Sequence, residues 1–233
     1  MPRTRTRDQL VQRARELADM ETNGFISDTE AEEMVAQSVA ELWGILVTTD
    51  PDRYSVTSDI SATAGTYEYA VPADFMQCLM VERLIGSGPD GITLEPYSLQ
   101  EQNQIGLADL GGSFVTSVRY LVTGQGADGS GTVVRFRPDP GSATYRLHYV
   151  QAPQDLAAGA SEFDGVAGWE EFVTHDAAIQ MKQKEESDTS VLERRLARIE
   201  TRIKRLSGLR KSGQPRLPAR IRNRVHHRRA TSA

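Results

Sequence analysis

An α+β fold is the expectation for this chain: a small helical bundle built from N- and C-terminal helices, an antiparallel β-sheet or sandwich inserted between them, and an extended C-terminal arm. Three observations lead there. Apolar residues recur at helical spacing at both ends of the 233 residues, and the period falls to two through the middle. From Thr201 onward there are 11 Lys and Arg and no Asp or Glu, so the first 200 residues hold 16 basic against 32 acidic side chains.

Thr6-x-x-Gln9 has the form of a capping box, and Leu10, Val11, Ala14, Leu17 and Ala18 follow at helical spacing, which predicts a helix over residues 6 to 20. After Thr22-Asn-Gly24, Ser27-x-x-Glu30 repeats the box. Ala31, Val35, Val39, Leu42 and Leu46 then form a stripe that should end near Thr49, before Pro51. About 20 residues at about 1.5 Å each make this a helix of roughly 30 Å, long enough for one wall of a bundle.

Alternation takes over at Tyr54, Val56 and Ile60 and again at Tyr67, Tyr69 and Val71. Further strands are expected at Leu79 to Ile85, Ile92 to Leu94, Val118 to Val122, Thr132 to Phe136 and Tyr145 to Val150, with one short helix near Ser98 to Ile105. Short turns between successive strands imply antiparallel pairing, because parallel strands need crossover helices. Beyond a loop from Gln154 to Gly168, Trp169, Phe172, Val173, Ala177, Gln180 and Met181 mark a helix. Ser190-x-x-Glu193 opens a last one in which Leu192, Leu196, Ile199, Ile203 and Leu206 form a packing seam, with Gly208 expected to stop it.

The terminal helices lack partners unless the two ends of the chain meet. The expected organisation is therefore one body over residues 1–207 (helices within 6–49 and 169–207, β insertion 53–151) and an arm over residues 208–233. The arm has two prolines and little apolar content, so it should build no core of its own. Its basic array, Arg210, Lys211, Arg216, Arg220, Arg222, Arg224, Arg228 and Arg229, should seek an acidic surface or a phosphate backbone.

Hydrophobic residues at 39 % and charged residues at 25 % describe an ordinary globular protein. The longest apolar run, Leu42 to Val47, is far short of the roughly 20 residues of a membrane span, so no membrane partner is expected. The charged N-terminus lacks the apolar stretch of a secretory signal, and cytoplasmic residence is the default expectation. The single cysteine, Cys78, lies in an apolar strand segment and reads as a small core residue.

The residues that could carry chemistry do not form sites. Gly124-x-Gly126-x-x-Gly129 follows a strand but precedes another strand, where a dinucleotide site needs a helix N-terminus; a hairpin loop is the expectation. Phosphate-loop, nucleophile-elbow and zincin motifs are absent from the sequence. Of the histidines, His148 falls in a strand, His175 in a helix and His226 with His227 in the arm, none with metal-ligand spacing. His175 and Asp176 diverge by about 100° on a helix, so a catalytic dyad is not expected and His175 reads as a partly exposed helix residue. The acidic groups at Glu30, Glu32 and Glu33, at Glu170 and Glu171, and at Glu185, Glu186 and Asp188 sit at helix ends, where caps and solvated faces are expected. Tyr67, Tyr69, Tyr145 and Tyr149 lack interleaved basic residues and read as sheet core rather than a base-stacking platform. No enzyme activity, metal or cofactor is expected.

Several phrases, in their order along the chain, resemble tailed-bacteriophage head-to-tail adaptor (connector) proteins. They are Phe25-Ile-Ser-Asp-Thr-Glu30, Tyr67-Glu-Tyr-Ala-Val-Pro-Ala-Asp-Phe75, Tyr145-Arg-Leu-His-Tyr-Val-Gln-Ala-Pro153, Asp164-Gly-Val-Ala-Gly-Trp-Glu-Glu-Phe172 with Asp176-Ala-Ala-Ile179, and Lys184-Glu-Glu-Ser-Asp188. The resemblance spans about residues 6 to 212. It implies a structural neck protein, assembled as a homo-oligomeric ring (dodecameric in such adaptors) beneath the portal protein and meeting the next neck or tail protein on its other side. The localisation implied is the virion, with assembly in the host cytoplasm. The arm residues named above would dock on the portal, and DNA would pass through the lumen without specific binding, repelled by the acidic body. Two other readings stay open: a nucleic-acid-binding protein whose arm neutralises phosphates, and another neck component such as a stopper or tail terminator. The change of sign at Glu200, inside the last helix, implies that part of this helix joins the docking surface.

Overall fold

A computed structural model describes residues 5–21, 24–86, 90–102, 117–126, 131–153, 156, 162–163 and 169–209. Among them are four α-helices and two antiparallel sheets, an α+β fold, with a separate small two-stranded ribbon.

The first two helices begin where their caps dictate. In α1 (Arg7–Ala18), the Gln9 amide donates to the Thr6 hydroxyl and the Thr6 amide donates to the Gln9 side chain, so two orphan donors of the first turn are satisfied reciprocally. Asp19 closes the helix in the left-handed conformation at φ 62°, which a short polar side chain tolerates better than most. In α2 (Asp28–Thr49), Ser27 and Glu30 form the second box. The Glu30 carboxyl is held down to about 2, first by its hydrogen bond from Lys184 and then by those from Ser27.

α3 (Glu170–Lys184) and α4 (Ser190–Leu209) return to the same place. One core joins Leu10 and Ala14 of α1, Val35 and Leu42 of α2, Phe172, Val173 and Met181 of α3, and Ile199 and Ile203 of α4. The N- and C-terminal helices therefore meet, and each amphipathic helix finds its cover there. Between α2 and α3 the contact carries a polar knot: Ser38, fully buried, donates to Asp176 Oδ2 at 2.7 Å, and Gln180 donates to both at 3.2 and 3.0 Å.

A single 3-10 turn at Pro51–Tyr54 leads from the bundle into the sheets. Trp43 of α2 donates its indole N–H to the Gln151 carbonyl and meets Tyr54 edge-on, so the two layers are pinned at this corner. The strands are β1 (Arg5–Thr6), β2 (Ser55–Ser61), β3 (Glu68–Ala70), β4 (Phe75–Leu84), β5 (Gly91–Thr93), β6 (Arg119–Thr123), β7 (Val133–Arg137), β8 (Thr144–Gln151) and β9 (Glu162–Phe163). One sheet has the order β2-β8-β4-β5, the other β3-β7-β6, and β1 pairs with β9. Tyr145, Leu147 and Val81 of the first sheet share a core with Val134 and Phe136 of the second, and the Phe136 and Tyr145 rings lie 4.5 Å apart. This is a small sandwich.

The structure departs from the sequence-based expectations at several points. β4 starts at Phe75, four residues before the expected strand, because shifts of register after Phe75 and Cys78 break its alternation. The last helix passes through Gly208 to Leu209; a glycine in a last turn costs only about 1 kcal/mol in propensity and does not force a stop. The seam of that helix closes at Ile203, since Leu206 is 39 % exposed. At Ser98 the hydroxyl and amide exchange hydrogen bonds with Glu101 as a helix start would, but residues 103–105 of the expected short helix lie outside the described residues. In the expected loop, β9 pairs antiparallel with β1, a contact too short to leave a period in the sequence.

Candidate docking surface

The arm residues expected to bind a partner, Arg210, Lys211, Arg216, Arg220, Arg222, Arg224, Arg228 and Arg229, lie outside the described residues, as do His226 and His227. What is described is the helix that leads to them. On α4, Ile199 and Ile203 face the core, and Arg194, Arg195, Arg198, Arg202, Lys204 and Arg205 are exposed around the rest of the cylinder. The basic surface thus begins at Arg194, before Glu200, where a running total of charge placed its start. Counting charge only on the exposed positions of the helix finds this earlier start, because Glu200 is itself paired with Lys204.

Beside this helix runs an open groove of about 770 Å³, with α3 as its floor and α1 and α4 as its walls. Its floor includes Glu171, Thr174 and His175, and Arg5, Arg13 and Arg195 lie along it. A shallower extension carries Arg198 and Arg202, the latter 3.3 Å from Glu171. His175 is buried rather than partly exposed, with Nδ1 2.7 Å from the Glu171 carbonyl. Burial pushes its pKa down, against the opposing pull of that carbonyl, so the imidazole is held neutral. Asp176 points away from it to Ser38 and Gln180, and the two residues form no dyad.

The other candidates for chemistry are accounted for by structure. His148 Nε2 lies 3.2 Å from Glu82, and Arg146 makes a two-pronged bond to Asp59 across β2 and β8, which lowers the Asp59 pKa. Tyr145 and Tyr149 are buried and Tyr69 packs against the same core, whereas Tyr67, expected there too, is half-buried outside it with the Arg137 guanidinium 4.3 Å over its ring. Burial raises the Cys78 thiol pKa, and its neighbour Tyr120 is pushed up to about 12, mainly by burial, which makes both poor nucleophiles. The strands β6 and β7 on either side of the glycine motif pair directly as a hairpin, although residues 127–130 lie outside the described residues. No group of three or more His, Cys, Asp or Glu side chains is placed to hold a metal ion among the described residues. No helix among them is long and apolar enough to cross a membrane.

A family model described as SU10 adaptor protein matches residues 5–224, nearly the whole chain. The chain belongs to the SU10 adaptor protein family. No curated protein sequence matches it. The family is one of phage head-to-tail adaptors, structural proteins rather than enzymes, and membership implies a place in the virion and contacts with portal and tail components. The match includes Arg210, Lys211, Arg216, Arg220, Arg222 and Arg224 and stops before Arg228 and Arg229.

Proposed function

We propose that the chain assembles as a ring, expected to be dodecameric, beneath the portal of a tailed phage, with residues 208–233 docking on the portal and residues 1–207 supporting the next neck or tail protein. The observation that carries this reading is the division of charge within an adaptor-family chain. A body with 16 basic and 32 acidic residues continues into an arm without acids, and the exposed arginines of α4 extend the arm's charge back onto folded structure.

Such an arm is suited to an acidic groove on a partner, where ordering it is offset by charge-assisted hydrogen bonds. The acidic body suits a lumen through which DNA slides, since like charges keep the duplex from settling on the wall. Assembly begins in the host cytoplasm and ends in the virion. Electron microscopy of the cognate portal mixed with the full chain tests the reading. The expected result is an added ring with density continuing from α4 onto the portal; a portal that stays bare at saturating chain contradicts it.

A further inference from the structure

The groove between α1 and α4 is open, and on the other side of the bundle α2 presents a face that no described residue covers. We propose that the groove receives the exposed face of α2 from a second copy of this chain, a contact that rests on the ring reading and assigns its two surfaces.

The placement of the two faces comes from α3. At about 100° per residue, Glu171, Thr174 and His175 fall on one side of that helix and Asp176 and Gln180 on the other. The first set lines the groove, while the second bonds Ser38 of α2. Groove and α2 are thus separated by the thickness of α3. Two different faces on opposite sides of a subunit make a head-to-tail contact, the kind that closes into rings.

The groove's lining balances Arg5, Arg13 and Arg195 against Glu16, Glu170 and Glu171, so complementarity with α2 lies in the charges left unbridged along α4. Arg195 and Arg198 on the groove side are exposed and make no salt bridge among the described residues. On α2, Glu33 and Glu41 are exposed and likewise unbridged there, although neighbouring Glu30 and Glu32 are paired with Lys184 and Arg7. Glu33 and Glu41 are two turns apart, a spacing of about 12 Å. Between and beyond them on the same face lie Ala36, Ala40 and Gly44. A Cβ at Gly44 would meet nothing within 4 Å among the described residues, so packing against them gives no reason for a glycine in mid-helix. A second backbone approaching closely does. On the groove rim, Val191 is 66 % exposed, an apolar knob of a size to sit over the small residues of α2.

The test measures self-association of the full chain by native mass spectrometry, and ring formation on the portal by electron microscopy. Reversing Arg195→Glu with Arg198→Glu, or Glu33→Arg with Glu41→Arg, should each weaken association at least about tenfold, because like charges then face each other. The chain carrying all four reversals should recover it. Gly44→Leu separates folding from contact: it has space within the subunit and improves helix propensity, so melting temperature should hold or rise while association falls. Rings that persist through the charge reversals and Gly44→Leu overturn these two faces and leave the ring reading standing. A chain that forms no oligomer alone or on the portal overturns both.

Discussion

Replacing Ile203 by alanine tests how the arm is anchored. Ile203 is fully buried and Ile199 is 3 % exposed, and together they hold the second half of α4 against the bundle. The substitution removes three carbons, about 2.4 kcal/mol of transfer free energy at about 0.8 kcal/mol each. A cavity penalty adds to this, for a total of about 2–5 kcal/mol. In a chain of this size each kcal/mol lowers the melting temperature by about 2–4 °C. A fall of roughly 4–20 °C by circular dichroism is therefore expected. Leu206→Ala, three residues on but 39 % exposed, should cost less than about 1 kcal/mol. Hydrogen exchange would show whether the loss concentrates in α4, as it should if Ile203 is its clamp. Equal costs at the two positions would refute the assignment of the seam's end to Ile203.

Three further outcomes follow from buried and half-exposed polar groups. Asp176→Ala removes a charged acceptor from the Ser38 hydroxyl and the Gln180 amide, which keep only the Met34 carbonyl and the Ser38 oxygen respectively, and should cost about 1–3 kcal/mol in urea unfolding, with Asp176→Asn recovering part of it. His175 is held neutral with a lowered pKa, so its contribution is complete above the unfolded value of about 6.5 and is lost as pH falls below it, when the unfolded chain takes up the proton. Stability measured between pH 7 and 5 should fall, and His175→Gln should flatten that slope. The Asp59–Arg146 pair is partly exposed, so a double-mutant cycle should return about 1 kcal/mol or less and shrink with added salt.

The sequence was legible where one signal decided the local outcome. The Thr6 and Ser27 boxes place two helix starts to the residue, because the capping hydrogen bonds are made within four residues. Regular alternation places β2 and β8, which pair over seven residues without a shift. Where tertiary contact decides, the sequence is silent. The β1–β9 ribbon has two residues on each side, and the Ser38–Asp176–Gln180 knot joins positions 138 and 142 apart in sequence. The sequence reads His175 as a partly exposed helix residue, yet it is buried. The groove is a product of three helices meeting, so its arginines were visible only as part of a charge count. The eight arm residues named as partner contacts belong to a segment without hydrophobic periodicity, where composition gives the sign of the charge and no geometry.

The central claim is that the arm joins this adaptor to the portal. Its most direct test compares portal binding by the full chain with that of a chain ending at Leu209, the last residue of α4. Biolayer interferometry on immobilised portal should show tight binding by the full chain and a loss of at least about 100-fold, or about 2.8 kcal/mol, on truncation. Equal affinities for the portal would contradict the account.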